Sequence, residues 1–209
     1  MSVATSPICA FDARERILAA ARRSFATSGF DGAATRQIAT EAGVAQSLLL
    51  YHFGSKEALW RAVIDQLFET LNRRMALAAG RARDGTVRER LLAVVRGFVD
   101  LCAEDADIHR IMTIEGRQPT DRLKWLVDRH LRDNYRQAID LITQGQGLGV
   151  VRSGDPTLLY YSFIAIAGTA FSLAPEIELV SGDRNAVAPD AVVQLIAALL
   201  FMPEPERCA

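Results

Sequence analysis

The chain has 209 residues, 50% of them apolar, and its 24 Lys and Arg stand against 25 Asp and Glu for a formal net charge of −1. That length holds one or two domains with a well-buried core. The longest apolar stretch, Phe163 to Ala174, contains Gly168, Thr169 and Ser172 and falls short of the roughly 18 residues a membrane span requires, so no membrane partner is expected.

Met1 to Ala10 has neither a basic segment nor a long apolar one, which makes a cytoplasmic location the expectation. Cys9, Cys102 and Cys208 are odd in number and widely scattered, a pattern that offers no disulfide framework and no zinc-ligand spacing.

Taken in chain order, the pattern gives helix after helix and no convincing strand. Asp12 with Glu15 three residues on reads as a capping box for a helix carrying Ile17, Leu18, Ala21 and Phe25 and ending at Gly29. Two short helices follow, about 36 to 42 and 46 to 52. Ser55 then caps a longer one whose stripe of Leu59, Val63, Leu67, Leu71 and Met75 runs to about Gly80. After Asp84-Gly85, Leu91, Val94, Val95, Phe98 and Leu101 mark a helix from about 86 to 104, and a short one near 106 to 115 precedes Gly116 and Pro119. Thr120 opens a long helix through Leu123, Trp125, Leu126, Leu131, Tyr135, Ile139 and Ile142 to Gly145. Asp155 before Pro156 is a strong start signal for a helix to about Leu173. The last helix spans about 188 to 202, and the Pro/Glu-containing tail after Phe201 reads as disordered.

The stretch Thr35 to Leu59 has the organisation of a helix-turn-helix running into a third helix. Ala39 keeps the first helix thin enough for the second to lie against it, Gly43 can take the positive φ of a tight turn, and Leu49 points inward with Ile38 and Val44. Gln46, Ser47 and Tyr51 are then left on the outer side of the second helix, where a major groove could meet them. The plain alternative is a helical hairpin in an all-helical protein. Charge distribution favours DNA: Arg14, Arg16, Arg22, Arg23, Arg36, Lys56 and Arg61 outnumber the acidic residues of positions 1 to 62 by two, although for Arg14 or Arg16 a solvated helix face is the better reading.

The wording of this stretch resembles the N-terminal DNA-binding domain of the TetR/AcrR-like transcriptional regulators. Thr35, Ile38-Ala39, Ala42-Gly43-Val44, Tyr51-His52-Phe53 and Ser55-Lys56-Glu57-Ala58-Leu59 carry the resemblance, with Phe25, Gly29-Phe30 and Thr35 upstream, over roughly residues 11 to 62. Leu50 departs from it, because that family most often has a phosphate-contacting Tyr there; here that contact is missing or is taken over by Tyr51 next to it. The resemblance implies an all-α fold with an N-terminal three-helix helix-turn-helix domain (11–56) and a C-terminal helical ligand-binding and dimerisation domain (57–203). It implies double-stranded operator DNA as a partner, a repressor released by a small apolar or aromatic effector of unknown identity, and DNA contacts from Thr35, Arg36, Gln46, Ser47, Tyr51, His52 and Lys56.

The helices about 155–173 and 188–202 are apolar nearly all round and must be covered on all sides. A homodimer through a four-helix, two-fold interface would do so, with Ala165, Ala167, Gly168 and Ala170 allowing close approach; the alternative is a pair of central core helices. For the effector, Phe98, Cys102, Met112, Trp125 and Tyr161 are the candidate lining residues, with His109, Glu115 or Arg129 for a polar contact. No enzyme and no cofactor is expected. Gly145-Gln-Gly147-Leu-Gly149 follows a helix, lacks the phosphate-loop Lys-Ser/Thr and reads as a helix C-cap and turn, and no metalloprotease or nucleophile-elbow sequence occurs, so catalytic and metal residues are none. A helical protein-interaction adaptor, or an enzyme with an unrecognised site, remains the alternative.

Overall fold

The computed structural model describes residues 7–183 and 185–203, and every described element is helical apart from a single bridge between Val151 and Phe201. Helix α1 (Pro7–Gly32) starts upstream of Asp12, so that residue lies inside the helix and not at its cap. Near its far end α1 breaks at Gly29, whose φ of 66° only glycine adopts readily.

Helices α2 (Thr35–Glu41), α3 (Gln46–Phe53) and α4 (Lys56–Arg81) follow. Helix α5 (Val87–Glu104) begins with a capping box: the Thr86 hydroxyl accepts from the Glu89 amide while the Glu89 carboxylate accepts from the Thr86 amide. Those hydrogen bonds hold the Glu89 carboxyl below its usual range. Helix α6 (Asp107–Glu115) comes next.

The long helix expected from Thr120 to Gly145 is instead α7 (Asp121–Leu126), a π-helical turn (Val127–Leu131) and α8 (Arg132–Gly147). The apolar stripe steps by five from Leu126 to Leu131, and one π turn keeps both residues on the same side. Asp128 bridges this turn by pairing with Lys124 at 2.7 Å and Arg132 at 2.5 Å. The Pro156 helix is present as α9 (Pro156–Ser172), with the Asp155 carboxylate accepting from the Thr157 and Leu158 amides at 2.8 and 3.0 Å. Between α9 and α11 (Pro189–Leu200) stands α10 (Ala174–Ser181), which the apolar periodicity did not reveal. Pro175 in its first turn and Gly182 after its last, at φ 71°, are the local signals that bound it.

These elements form two compact units. The first comprises the chain up to Glu69 together with Arg110–Leu123, and the second comprises Thr70–His109 together with the chain from Lys124 onward. In the first, Ile17, Phe25, Ile38, Leu49, Leu59, Trp60 and Ile64 are fully buried.

In the second, α5 packs on α8, α9 and α11. One core cluster joins Val87, Leu91, Ile142, Val151 and Phe201; the next joins Val95, Val99, Ala167, Val192 and Ile196. Two amides close the far end, Arg152 donating to Leu200 and Met202 donating to Val150. The small residues Ala167 and Gly168 are used inside the protomer, which corrects their expected place at a subunit contact. Ala167 is fully buried, and a Cβ on Gly168 would lie 1.9 Å from the His109 ring. The outer face of the same helices is apolar and open: Leu158 and Tyr161 on α9, and Leu195 and Leu199 on α11, are 69, 56, 52 and 49% exposed.

Candidate nucleic-acid interface

The helix pair is built as its spacing predicts. Ala42 ends α2, Gly43 follows at φ 65°, and the Val44 amide turns back to the Ala39 carbonyl at 3.0 Å. A Cβ at position 43 would strain that backbone and would meet the Arg16 guanidinium at 3.4 Å. Ile38, Ala39 and Leu49 fill the angle between α2 and α3, and Val44 is half-buried beside them.

With those residues inward, α3 turns its other side outward. Gln46, Ser47, Leu50 and Tyr51 are exposed, Tyr51 most of all at 83%. The Gln46 amide donates to the Thr35 hydroxyl at 3.2 Å, so the first residue of α2 orients the first residue of α3. Arg36 is exposed one position further along α2. His52 is half-buried with its ring edge-on to Tyr51 at 5.6 Å, and its Nε2 is buried without a hydrogen-bond partner among the described residues.

Lys56 opens α4, where the Ser55 hydroxyl caps the helix by accepting from the Ala58 amide at 3.0 Å. Its ammonium donates to the Asp31 carbonyl at 3.3 Å and lies 4.7 Å from the centre of the Phe30 ring. Arg14 is engaged locally, with its guanidinium 5.6 Å from the Phe53 ring centre and paired to Glu15. All seven residues read from the sequence as DNA contacts therefore sit in the first unit, on or beside the two short helices and the cap that follows.

The effector candidates are more scattered. Met112 belongs to the first unit, whereas Phe98, Cys102, Trp125 and Tyr161 belong to the second. Phe98 packs against Phe163 with ring centres 5.1 Å apart. Burial pushes the Cys102 thiol up to about 12, which leaves it un-ionised and suited to packing, not to redox sensing. Trp125 meets His130 edge-on at 5.5 Å on the π turn, and Tyr161 lies edge-on to Tyr160 on the open face of α9. Burial also depresses the His109 pKa. Among the described residues no cluster of His, Cys, Asp and Glu could hold a metal ion, and no single helix is long and apolar enough to cross a membrane.

Sequence reasoning missed the contribution of Arg110–Leu123 to the first unit. Glu115, 6% exposed, accepts from the Thr120 hydroxyl at 2.8 Å and pairs with Arg122 at 3.3 Å. A buried carboxylate between a Thr and an Arg is the only trace of this in the sequence, and it has no fixed spacing.

Comparison with known proteins places this geometry. Residues 17–63 match the family described as bacterial regulatory proteins, tetR family. The chain is similar to the HTH-type transcriptional regulatory protein RaaS of Mycobacterium tuberculosis, 29% identical over 156 residues that make up 75% of this chain and 68% of that protein. It is 46% identical to the HTH-type transcriptional regulator RutR of Escherichia coli strain K12 over 56 residues, which span only 27% of this chain and 26% of RutR. Among solved structures, a bacterial regulatory protein in the tetR family from Rhodococcus RHA1 superposes with a TM-score of 0.73 at 20% identity, covering 92% of this chain and 98% of that one.

Proposed function

We propose that the chain is a tetR-family regulatory protein, a homodimeric repressor that leaves its operator DNA when a small apolar or aromatic ligand binds. The observation that carries the reading is the division of α3: Leu49 is wholly buried against α2, while Gln46, Ser47 and Tyr51 stand clear on the opposite side. A helix held rigidly by one face and polar on the other can enter a major groove. In that arrangement Gln46 and Ser47 meet base edges, and Thr35, Arg36, Tyr51, His52 and Lys56 meet phosphates. Tyr51, 83% exposed, stands in for the tyrosine that Leu50 replaces.

Dimerisation is assigned to the open stripe of Leu158, Tyr161, Leu195 and Leu199, which no described element of the protomer covers. Two-fold pairing would bury it and supply two recognition helices for consecutive major grooves, roughly 34 Å apart. The effector reading is centred on the aromatic groups of the second unit, Phe98 and Trp125 foremost. Helix α4 is continuous from Lys56 to Arg81, so a ligand that shifts it changes the separation of the two α3 helices. The test is selection of fragments from the source genome by the purified protein, followed by fluorescence anisotropy on the enriched sequence. Specific, salt-sensitive binding of a protein that sediments as a dimer is expected; affinity equal for enriched and random duplexes would overturn the reading.

A further inference from the structure

We propose that Arg122, remote in sequence from the helix pair, is a positioning residue for the DNA contact made by Lys56 and acts through the ring of Phe30. The proposal rests on the reading of Lys56 as a phosphate contact. The Arg122 guanidinium carbon lies 3.9 Å from the Phe30 ring centre, and the Lys56 ammonium lies 4.7 Å from the same centre. Phe30 is held on other sides by Phe25, stacked at 6.2 Å, and by the edge of Trp60 at 6.4 Å. Its ring is thus a fixed shelf with a negative face, and it bears two cations.

The two positive charges tolerate each other because one of them is already neutralised. Arg122 pairs with the buried Glu115 carboxylate at 3.3 Å, and Glu115 is fixed in turn by the Thr120 hydroxyl. The same hydroxyl accepts from the Leu123 amide at 3.1 Å, which ties Arg122 to a capped helix start. Arg122 therefore completes the confinement of Phe30 without repelling Lys56.

Lys56 gains direction from this shelf. An ammonium has three N–H donors; one goes to the Asp31 carbonyl, and among the described residues no second acceptor takes the others, which leaves them for phosphate oxygens. A lysine whose ammonium is already held over a ring and by a backbone carbonyl loses less rotamer freedom on meeting DNA than one that swings in solvent. Loss of Arg122 frees the ring, and the preorganisation of Lys56 goes with it.

The experiment measures affinity for the enriched duplex by anisotropy in wild type, Arg122→Met, Arg122→Ala, Arg122→Lys, Lys56→Ala and the double variant Arg122→Met/Lys56→Ala. Arg122→Met keeps the apolar stem but leaves the buried Glu115 carboxylate unpaired, so the charge-preserving Arg122→Lys and the unfolding midpoint of each variant control for folding. Removing the charge should weaken binding about fivefold, Lys at 122 should restore most of the loss, and Arg122→Met should cost nothing further once Lys56 is Ala. Proton NMR of the DNA-free protein provides a readout independent of the DNA reading. The Lys56 ε-methylene should be shifted upfield by the Phe30 ring current in wild type and in Arg122→Lys, and should move toward its solvent value in Arg122→Met. Equal penalties for Arg122→Met in the two backgrounds, or an unmoved Lys56 resonance, would overturn the proposal. A wild-type protein that binds no duplex would instead sink the reading of Lys56, while the NMR arm still decides whether Arg122 positions it.

Discussion

The two units of this protein use glycine and apolar residues to opposite ends. In the first, Gly43 makes a turn that frees polar side chains on α3, and the buried Ile38, Ala39 and Leu49 exist to hold that outward face steady. In the second, Gly168 lets the His109 ring approach the α9 backbone, and the face left outside is itself apolar. One unit spends its core on presenting chemistry to a nucleic acid. The other leaves its core unfinished at the surface, which is what a protein that completes itself with a second copy would do.

The largest effect should come from the unfinished face. Leu195→Glu places a charge where two-fold pairing would bury it, at about 3–5 kcal/mol, so sedimentation should show monomers and operator affinity should fall with the dimer. A variant that sediments as wild type would move the interface elsewhere. Leu49→Ala attacks the other region. The cavity between α2 and α3 should cost about 2–5 kcal/mol and lower the unfolding midpoint of the first unit, with DNA binding lost before the α5, α9 and α11 core melts. Coincident loss of both units in a denaturant titration would show that they are not separable in stability.

Smaller changes separate the roles within the interface. Lys56→Ala should weaken binding to every duplex and flatten the dependence of log K on log salt by about one unit per half-site. Gln46→Ala should instead alter preference among operators by about 1–3 kcal/mol for the affected base pair. An unchanged salt slope in the first variant removes Lys56 from the contact set. An unchanged base preference in the second removes Gln46 from base readout.

The smallest effect is a pH dependence confined to the second unit. Burial holds the His109 pKa below its ordinary 6.5. Below that pH the unfolded chain binds a proton that the folded chain refuses, so stability should fall as pH drops from about 6.5 toward the depressed folded-state value. His109→Gln should remove that component of the slope in urea titrations at pH 7.5 and near pH 5.5. A slope identical in both proteins would show that other groups carry it.

How much of this was legible depends on range along the chain. The helix-turn-helix could be read because all its determinants fall between Thr35 and Leu59 and act through fixed helical offsets and one positive φ. The start of α9 was equally plain, since Asp155 and Pro156 satisfy and pre-set the helix they precede. Locality also explains the partial successes. Asp12 and Glu15 have capping-box spacing, yet Asp12 lies inside α1; the five-residue step from Leu126 to Leu131 contained the π turn, hidden within an otherwise regular stripe.

Amino-acid sequence alone determined the all-helical class, the α2–α3 geometry and the polar residues that α3 would show. Tertiary structure decided which unit receives Arg110–Leu123, that Arg122 and Lys56 both pack on the Phe30 ring, and that Ala167 and Gly168 face inward while Leu158 and Leu195 do not. The difference is physical. Backbone hydrogen bonding and φ preferences act over a few residues and leave a periodic mark, whereas the choice between two apolar faces of α9 depends on the shapes of α5, α8 and α11, which close on it only after long loops have been ordered.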